Sequence, residues 1–327
     1  MKGAVRTTKN IEKKELSDRL CRYFRIAGIT VCVRSDPDFD GAKFAAKLES
    51  FAVSGPGEDN VTLRHYIGSP DLGGKDLGKE LYRKAPWAIS RSNGTWYYRE
   101  MAPLENILEE GRFAEFSADY TRADIFISPP QAGEIRAYGF PSLALLTTDQ
   151  IWLAPLLADR QALLLHAAGI VLNGKGLLFI GPSSTGKSTV TSWLKNAAAT
   201  GSCKAEILCD DRTIARRWND GWRIHGTWSP GDIPDLSSSS ATICAVMFLQ
   251  QDERDEITPL SDRWEIRKRL FTTIIKPMAT ADWWRKQLDA MERLIAEAPF
   301  YLMRFTKSGA IVALLLSMAA ERENVAL

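Results

Sequence analysis

The chain has 327 residues, of which 45% are hydrophobic and 25% are charged, and this is the composition of an ordinary globular protein. A chain of this length predicts about two domains and can bury a large core without disulfides or structural metals. Its 42 basic and 40 acidic residues give a net charge of +2, which provides no electrostatic support for a nucleic-acid partner or an anionic-membrane partner.

Cysteines and histidines are few. The five cysteines are scattered and form no CxxC pair, so we expect reduced thiols in a cytoplasmic protein. The three histidines are too few for us to expect a structural zinc site. The N-terminal sequence contains no apolar segment of the secretory kind. The longest apolar run, Ile311–Ala320, is about half as long as a membrane-spanning helix, so we expect a core helix and no membrane partner.

Residues 1–145 predict a β-rich domain that contains no catalytic motif. Its alternating apolar residues and its turn residues are typical of short strands, and Ser92-Asn93-Gly94 is a strong hairpin signal. Because the domain lacks catalytic residues, we hypothesise that it recognises an acceptor. The predicted strands lie in Arg22–Arg34, Val61–Ile67, Trp87–Arg99 (two runs), Phe113–Tyr120, Asp124–Ser128 and Glu134–Phe140.

Residues 146–327 predict a second domain of α/β class, in which strands alternate with helices. It opens on a helix from about Thr147 to Leu164, since Thr147 and Gln150 have the spacing of a capping box. The further predicted strands are Gly169–Leu172, Gly176–Ile180, Ala205–Cys209, Thr213–Trp218, Trp222–Thr227, Thr242–Leu249 and Phe300–Phe305, and the further predicted helices are Ser188–Asn196, Ser261–Thr273, Ala281–Ala296 and Gly309–Ala320.

One motif in the second domain carries chemistry. The segment Gly181-Pro182-Ser183-Ser184-Thr185-Gly186-Lys187-Ser188, followed by Thr189, fits the P-loop (Walker A) pattern GxxxxGK[ST] at every fixed position. It also has the strand–loop–helix setting that a P-loop needs. Backbone N–H groups of such a loop cradle phosphates at a helix N-terminus. Lys187 is expected to reach the β- and γ-phosphates of ATP, and the Ser188 hydroxyl to bind Mg²⁺. The alternative is a glycine-rich turn that caps a helix, with Lys187 merely solvated.

Two adjacent carboxylates, Asp210 and Asp211, follow a buried strand, which is where P-loop proteins hold Mg²⁺. One can bind the metal while the other accepts a proton; the alternative is a pair that caps a turn. His166 lies near the phosphates if the predicted hairpin folds back, and is otherwise a structural histidine. The loop Ser229–Asp232 after His225 either covers the site or is part of a surface hairpin. The candidates for neutralising transition-state charge are Arg212, Arg216, Arg263 and Arg269.

Several of these segments together resemble the C-terminal domain of HPr kinase/phosphorylase, whose superfamily includes the phosphoenolpyruvate carboxykinases. The similarity is greater to the HPr kinase-related proteins of bacterial gene clusters. In this superfamily a β-hairpin leads directly into the P-loop. The segments that carry the resemblance are Leu165-His166-Ala167-Ala168-Gly169, the Asn173-Gly174 turn, Gly181–Thr189 and Asp210-Asp211.

The resemblance covers about Thr147–Phe305 and implies an HPr kinase-like P-loop domain that uses ATP and Mg²⁺. It implies that Asp210 is the general base toward a serine-type hydroxyl, that Asp211 and Ser188 hold the metal, and that His166 belongs to the active site. The acceptor, a phosphorylase activity and a homo-oligomeric state stay open. The expected function is a kinase for a peptide, protein or small-molecule hydroxyl. The alternatives are an ATP-binding regulatory module, a carboxykinase-like enzyme and a scaffold that retains the motif.

Overall fold

A computed structural model of the chain describes residues 21–101, 111–146, 148–276 and 280–321. The chain divides into two compact units, Met1–Leu156 and Leu157–Leu327. Among the described residues each unit contains one β-sheet accompanied by helices, so the fold is mixed α/β. Within the same ranges, none of the helices combines the length and the apolar character needed to cross a membrane.

The first unit is built on a nine-stranded sheet in the order β3-β1-β2-β4-β9-β8-β7-β6-β5. The pairs β2–β4 and β4–β9 are parallel and the other neighbours are antiparallel. The strands are β1 Cys21–Ile26, β2 Ile29–Ser35, β3 Ala52–Val53, β4 Asp59–Ile67, β5 Lys79–Lys84, β6 Trp87–Ser92, β7 Thr95–Glu100, β8 Phe113–Phe116 and β9 Arg122–Ile127, and the helices are α1 Ala46–Glu49 and α2 Pro129–Tyr138, with a 3₁₀ turn at Pro37–Phe39.

The turn signals of the first unit form the hairpins that the sequence predicts. Asn93 and Gly94 have φ of 47° and 79° and join β6 to β7, since two consecutive positive φ angles fit the twist of the flanking strands. The structure also joins Cys21 and Cys32 by a disulfide between β1 and β2. The prediction that all five cysteines are reduced thiols is therefore wrong for this pair. It failed because it considered only spacing along the chain, whereas the hairpin brings the two residues together.

The predicted strand Glu134–Phe140 is wrong, because most of this segment belongs to α2. The helix begins after Ser128, whose N–H donates to the Gln131 side chain at 3.2 Å, and it has prolines in its first turn. It ends at Gly139, whose φ of 87° leaves the helical region. The signals at the two ends of the helix therefore outweigh the β propensity of its last residues, on which the strand prediction rested.

Asp149 is a buried carboxylate that organises the chain before the next helix. Its oxygens accept hydrogen bonds of 2.9 Å from the N–H groups of Leu143 and Ala144 and from the Trp152 indole. We expect Asp149→Ala to lower the free energy of unfolding by about 3 kcal/mol or more, because it leaves several buried donors without this acceptor. Urea denaturation measures the change, with the exposed Asp38→Ala as control. A loss below about 1 kcal/mol would contradict this role.

The second unit is built on an eight-stranded sheet in the order β11-β10-β13-β14-β15-β17-β16, with β12 beside β10 and a further pairing between β11 and β15. The helix α3, Gln150–Ala158, spans the division between the units. The strands are β10 Ala162–Leu172, β11 Lys175–Ile180, β12 Ala205–Cys209, β13 Arg212–Trp218, β14 Gly221–His225, β15 Ser240–Gln251, β16 Glu256–Pro259 and β17 Phe300–Phe305, and the helices are α4 Lys187–Ala199, α5 Arg263–Thr273, α6 Ala281–Glu297 and α7 Ile311–Glu321.

Successive residues of β11 face two different apolar cores. Leu178 and Ile180 pack in the core that includes α5 and α6, whereas Leu177 and Phe179 pack in the core that includes α4 and α7. Helices therefore cover both faces of the sheet here. This explains why β11 is apolar without alternation, as expected for a strand that is buried on both sides.

The helix predicted from Thr147 to Leu164 is shorter in the structure. It ends at Ala158, and β10 begins at Ala162 after a turn in which Gln161 has a φ of 49°. An apolar run cannot by itself distinguish a buried helix from a buried strand, and this one contains both. The predicted cap Thr147 lies outside the described residues.

Strand ends meet at one edge of the second sheet. Strand β15 runs parallel to β11, and β12 has the same direction, because both β11 and β12 are antiparallel to β10. The P-loop follows β11, and the aspartate pair follows β12. On β10, Ala167 pairs with Ile180, which places His166 level with the start of the P-loop. This edge holds the candidate site.

Candidate functional site

The P-loop connects β11 to α4 in a tight path. Gly186 has a φ of 102°, and a Cβ at this position would lie 2.6 Å from the ring of Phe305, so the position requires glycine. Lys187 is only 7% exposed. Its ammonium donates to the carbonyl oxygens of Gly181 at 2.7 Å and Pro182 at 3.1 Å. The lysine is therefore held inside its own loop, so that the solvated lysine of the alternative interpretation does not describe it.

A cavity of about 430 Å³ opens beside this loop. Most of its lining consists of residues that the sequence singled out one by one. Gly231 and Asp232 come from the loop Ser229–Asp232, which the sequence named only as a segment, and the structure adds Gln251. Gly181 and Pro182 line a neighbouring cavity of about 220 Å³ instead. The sequence-selected residues that line the larger cavity are His166, Ser183, Ser184, Gly186, Lys187, Ser188, Thr189, Asp210 and Asp211.

Asp210 is almost fully buried, with 2% of its surface exposed. Its carboxylate accepts hydrogen bonds from the backbone N–H groups of Gly231 at 2.7 Å and Ile233 at 2.9 Å, and the Ser188 hydroxyl lies 3.3 Å away. Several of its acceptor positions are therefore occupied by donors. The carboxylate fixes the loop after β14 against the P-loop helix.

Asp211 points to different partners. One of its oxygens lies 2.9 Å from His166 Nε2 and the other 2.6 Å from the Arg212 guanidinium. Burial, together with the nearby Lys187 ammonium, lowers the pKa of His166 below its usual value, so the imidazole is neutral at pH 7. Since a carboxylate can only accept, Nε2 carries the hydrogen and Nδ1 is the acceptor nitrogen. Asp211 thus sets the tautomer of His166.

The charges that line the cavity depend on how deeply each group is buried as well as on which acidic or basic groups are present. Burial is the main cause that lowers the pKa of Lys187, and the nearby carboxylate of Asp211 opposes this effect. The Asp210, Asp211 and Asp232 carboxylates all line the same cavity as this lysine. The site therefore combines a concentrated negative region with one buried amine, which suits a ligand that brings both phosphates and a cation.

Two residues that the sequence did not select stand at the cavity. Asp232 Oδ2 lies 3.2 Å from the Ser188 hydroxyl, and Gln251 donates to the carbonyl of Ser184 at 3.2 Å. A signal for Gln251 was present, because it ends β15, which runs parallel to β11. For Asp232 the sequence offered only a loop that either covers the site or is part of a surface hairpin, and the structure brings this loop to the site.

Other candidates lie away from the larger cavity. His225 is buried, the Trp218 indole lies 3.2 Å from its Nε2, and burial lowers its pKa to about 3. Arg216 stacks over the Trp218 ring at 4.4 Å. Arg269 lines the smaller cavity beside the start of the P-loop. Of the four arginines, Arg212 forms an ion pair with Asp211 of the aspartate pair.

The oxygen donors at Ser188 fit a hard divalent cation. A hydroxyl and two carboxylates converge there, and Mg²⁺ prefers oxygen ligands and usually takes only one or two carboxylates when phosphates complete its shell. In the described part of the chain, no group of three or more His, Cys, Asp or Glu side chains is spaced to enclose a metal by itself. The arrangement therefore suits a cation that arrives with a phosphate ligand.

Parts of the chain are similar to known proteins. Residues 151–313 match the family described as SynChlorMet cassette protein ScmC. No curated protein matches the chain. Among solved structures, the Hpr(Ser) kinase/phosphatase from Coxiella burnetii is similar over 49% of this chain and 96% of that chain, with 12% sequence identity and a TM-score of 0.30.

Proposed function

We propose that the chain is an ATP- and Mg²⁺-dependent kinase that transfers the γ-phosphate to a hydroxyl group of a peptide, a protein or a small molecule. The observation that carries this proposal is the convergence of six P-loop residues, Lys187 and Ser188 among them, with His166, Asp210 and Asp211 on one cavity of about 430 Å³. A cavity of this size lies in the usual range for small-molecule sites.

The P-loop supplies the grip on the triphosphate. The loop leads directly into the N-terminus of α4, where the helix dipole favours negative charge. Lys187 now donates to the carbonyls of Gly181 and Pro182, and it exchanges these acceptors for the β- and γ-phosphate oxygens when the nucleotide binds. Because the amine is already held in the loop, little side-chain entropy is lost on binding.

The acidic residues supply the rest of the chemistry. Ser188 would hold Mg²⁺, and the cation would supply positive charge to balance the negative charge that develops on the phosphates. As the acceptor oxygen attacks the γ-phosphorus, the bond from phosphorus to the ADP oxygen breaks and the hydroxyl proton passes to a carboxylate of the pair. His166 and Arg212 hold Asp211 in place for this step.

Transfer of label from ATP tests this function. The protein is incubated with γ-labelled ATP, Mg²⁺ and an extract of its own host, and the labelled species are identified. We expect a labelled acceptor that is absent when Lys187→Met replaces the wild-type protein. If the wild-type protein binds ATP and no acceptor is labelled above the level of this variant, the kinase proposal fails.

One observation favours a second candidate, an ATP-binding regulatory module. Both carboxylates of the pair already have hydrogen-bond or ion-pair partners, Asp210 with backbone N–H groups and Asp211 with His166 and Arg212. A module needs the P-loop but no proton acceptor. Such a protein would show saturable ATP binding in the same experiment and no transfer of label.

A further inference from the structure

The Ser188 hydroxyl stands between two carboxylates. Asp210 Oδ2 lies 3.3 Å and Asp232 Oδ2 lies 3.2 Å from the Ser188 oxygen. A serine hydroxyl has one hydrogen to donate, so it cannot satisfy both carboxylates at once. Asp210 has further N–H donors, but the approach of two carboxylates to one hydroxyl still forms a position at which a cation is favourable.

The backbone holds Asp232 at this position. The residues on either side of it, Gly231 and Ile233, both donate their N–H groups to Asp210. A Cβ on Gly231 would lie 2.9 and 3.1 Å from the Asp210 oxygens and 2.8 Å from the Asp211 Cβ. Only glycine allows this close approach, so Asp210 fixes the loop and the loop presents the Asp232 side chain to Ser188.

Asp211 has other partners. Its two oxygens contact His166 and Arg212, and its described hydrogen bonds and ion pairs do not include Ser188. The carboxylates of the cavity therefore separate into two groups. Asp210 and Asp232 face the P-loop serine, and Asp211 faces the imidazole at the start of the P-loop.

We propose that Asp232 is a ligand of the divalent cation, acting with Ser188 and Asp210, and that Asp211 with His166 serves the acceptor side of the site. This assignment rests on the proposed function, because the phosphates of a bound nucleotide complete the shell of the cation. In this assignment the loop residue Asp232 binds the cation, and Asp211, the second aspartate of the pair, positions the acceptor hydroxyl. The ligand chemistry is that of a hard divalent cation bound together with a nucleoside triphosphate.

Mn²⁺ is the probe, because its binding can be followed by electron paramagnetic resonance. The full chain is titrated with Mn²⁺ in the presence and absence of a non-hydrolysable ATP analogue. We expect Asp232→Asn to weaken Mn²⁺ binding in the ternary complex by about 10- to 100-fold. The control is Asp235→Asn, three residues after Asp232, which removes a carboxylate that pairs with Lys195. This variant should leave Mn²⁺ binding unchanged. Asp211→Asn should change Mn²⁺ affinity less than Asp232→Asn does.

The affinity for the ATP analogue is also measured with a chelator that removes divalent cations. This measurement separates the proposed function from the assignment of Asp232 as a ligand of the cation. Wild-type protein that does not bind the analogue contradicts the proposed function itself. An analogue that binds normally, with equal Mn²⁺ affinity in wild-type and Asp232→Asn protein, contradicts only the assignment of Asp232. A larger effect of Asp211→Asn than of Asp232→Asn overturns the assignment as well. Because Asp232 is exposed, its substitution is not expected to alter thermal unfolding, which is recorded for every variant.

Discussion

Lys187→Met is expected to reduce phosphotransfer by about 100- to 1,000-fold, the usual cost of removing one preorganised charge donor from a transition state. Methionine has a similar length, and its apolar side chain suits a position that is only 7% exposed, so the fold should persist. The variant loses the ammonium that now donates to Gly181 and Pro182 and that is proposed to bind the β- and γ-phosphates. Label transfer and ATP affinity are both measured, and both should fall.

A matched control lies on the same helix. Lys195 is two turns further along α4, half-exposed, and paired with Asp235 at 2.5 Å. Since surface ion pairs contribute little to stability, Lys195→Met should leave both label transfer and ATP affinity near the wild-type values. Equal activities of the Lys187 and Lys195 variants would mean that the amine in the loop has no role in binding phosphate.

Asp210→Asn is expected to lower phosphotransfer by about 100-fold or more, because it removes a carboxylate that is proposed to hold the divalent cation, and losing one preorganised group that stabilises transition-state charge usually costs this much. An asparagine amide has the shape of the carboxylate, but its NH₂ group cannot accept a hydrogen bond. One of the two bonds that Gly231 and Ile233 now donate is therefore lost. The substitution thus removes a negative charge and loosens the loop that carries Asp232. ATP affinity measured without divalent cations should change little, because the P-loop itself is intact.

The control for Asp210→Asn is Asp220→Asn at an exposed hairpin tip, where the carboxylate pairs with Arg223. We expect wild-type transfer from this variant. Wild-type transfer from Asp210→Asn would show that neither the charge nor the anchoring of the loop is needed, and it would favour a protein whose carboxylates play no part in chemistry.

Elements encoded by local signals could be predicted from the sequence. The hairpin around Asn173-Gly174 is confirmed, with β10 and β11 joined at positive φ angles of 49° and 83°. The strand–loop–helix path of the P-loop is also present. Thr280, directly before the predicted helix Ala281–Ala296, caps α6, since its side chain accepts from the Trp283 N–H at 3.2 Å. In each case a few adjacent residues determine the conformation.

Elements that depend on tertiary context were missed. Strand β5, Lys79–Lys84, is mostly exposed and charged, so it has no apolar alternation to reveal it, as is usual for an edge strand. The end of α3 and the start of β10 share one apolar run, and only the pairing of β10 with β13 separates strand from helix. The disulfide between Cys21 and Cys32 likewise depends on a hairpin and not on spacing.

The residues of the candidate site also divide into those that local sequence signals reveal and those that depend on tertiary contacts. His166 and the aspartate pair were selected from the sequence, and strand register explains why they meet the P-loop at one edge. Asp232 was mentioned only as part of a loop. Its position depends on two backbone hydrogen bonds to Asp210, from residues more than twenty positions away along the chain. No local pattern records such a contact.

Equilibrium titration of the full chain with ATP, with and without Mg²⁺, tests most directly whether the loop around Lys187 is a triphosphate site. We predict saturable binding with a Kd below about 1 mM, tighter binding when Mg²⁺ is present, and loss of binding in Lys187→Met but not in Lys195→Met. Wild-type protein that shows no saturable binding, or binding that both lysine variants retain in full, would contradict the account.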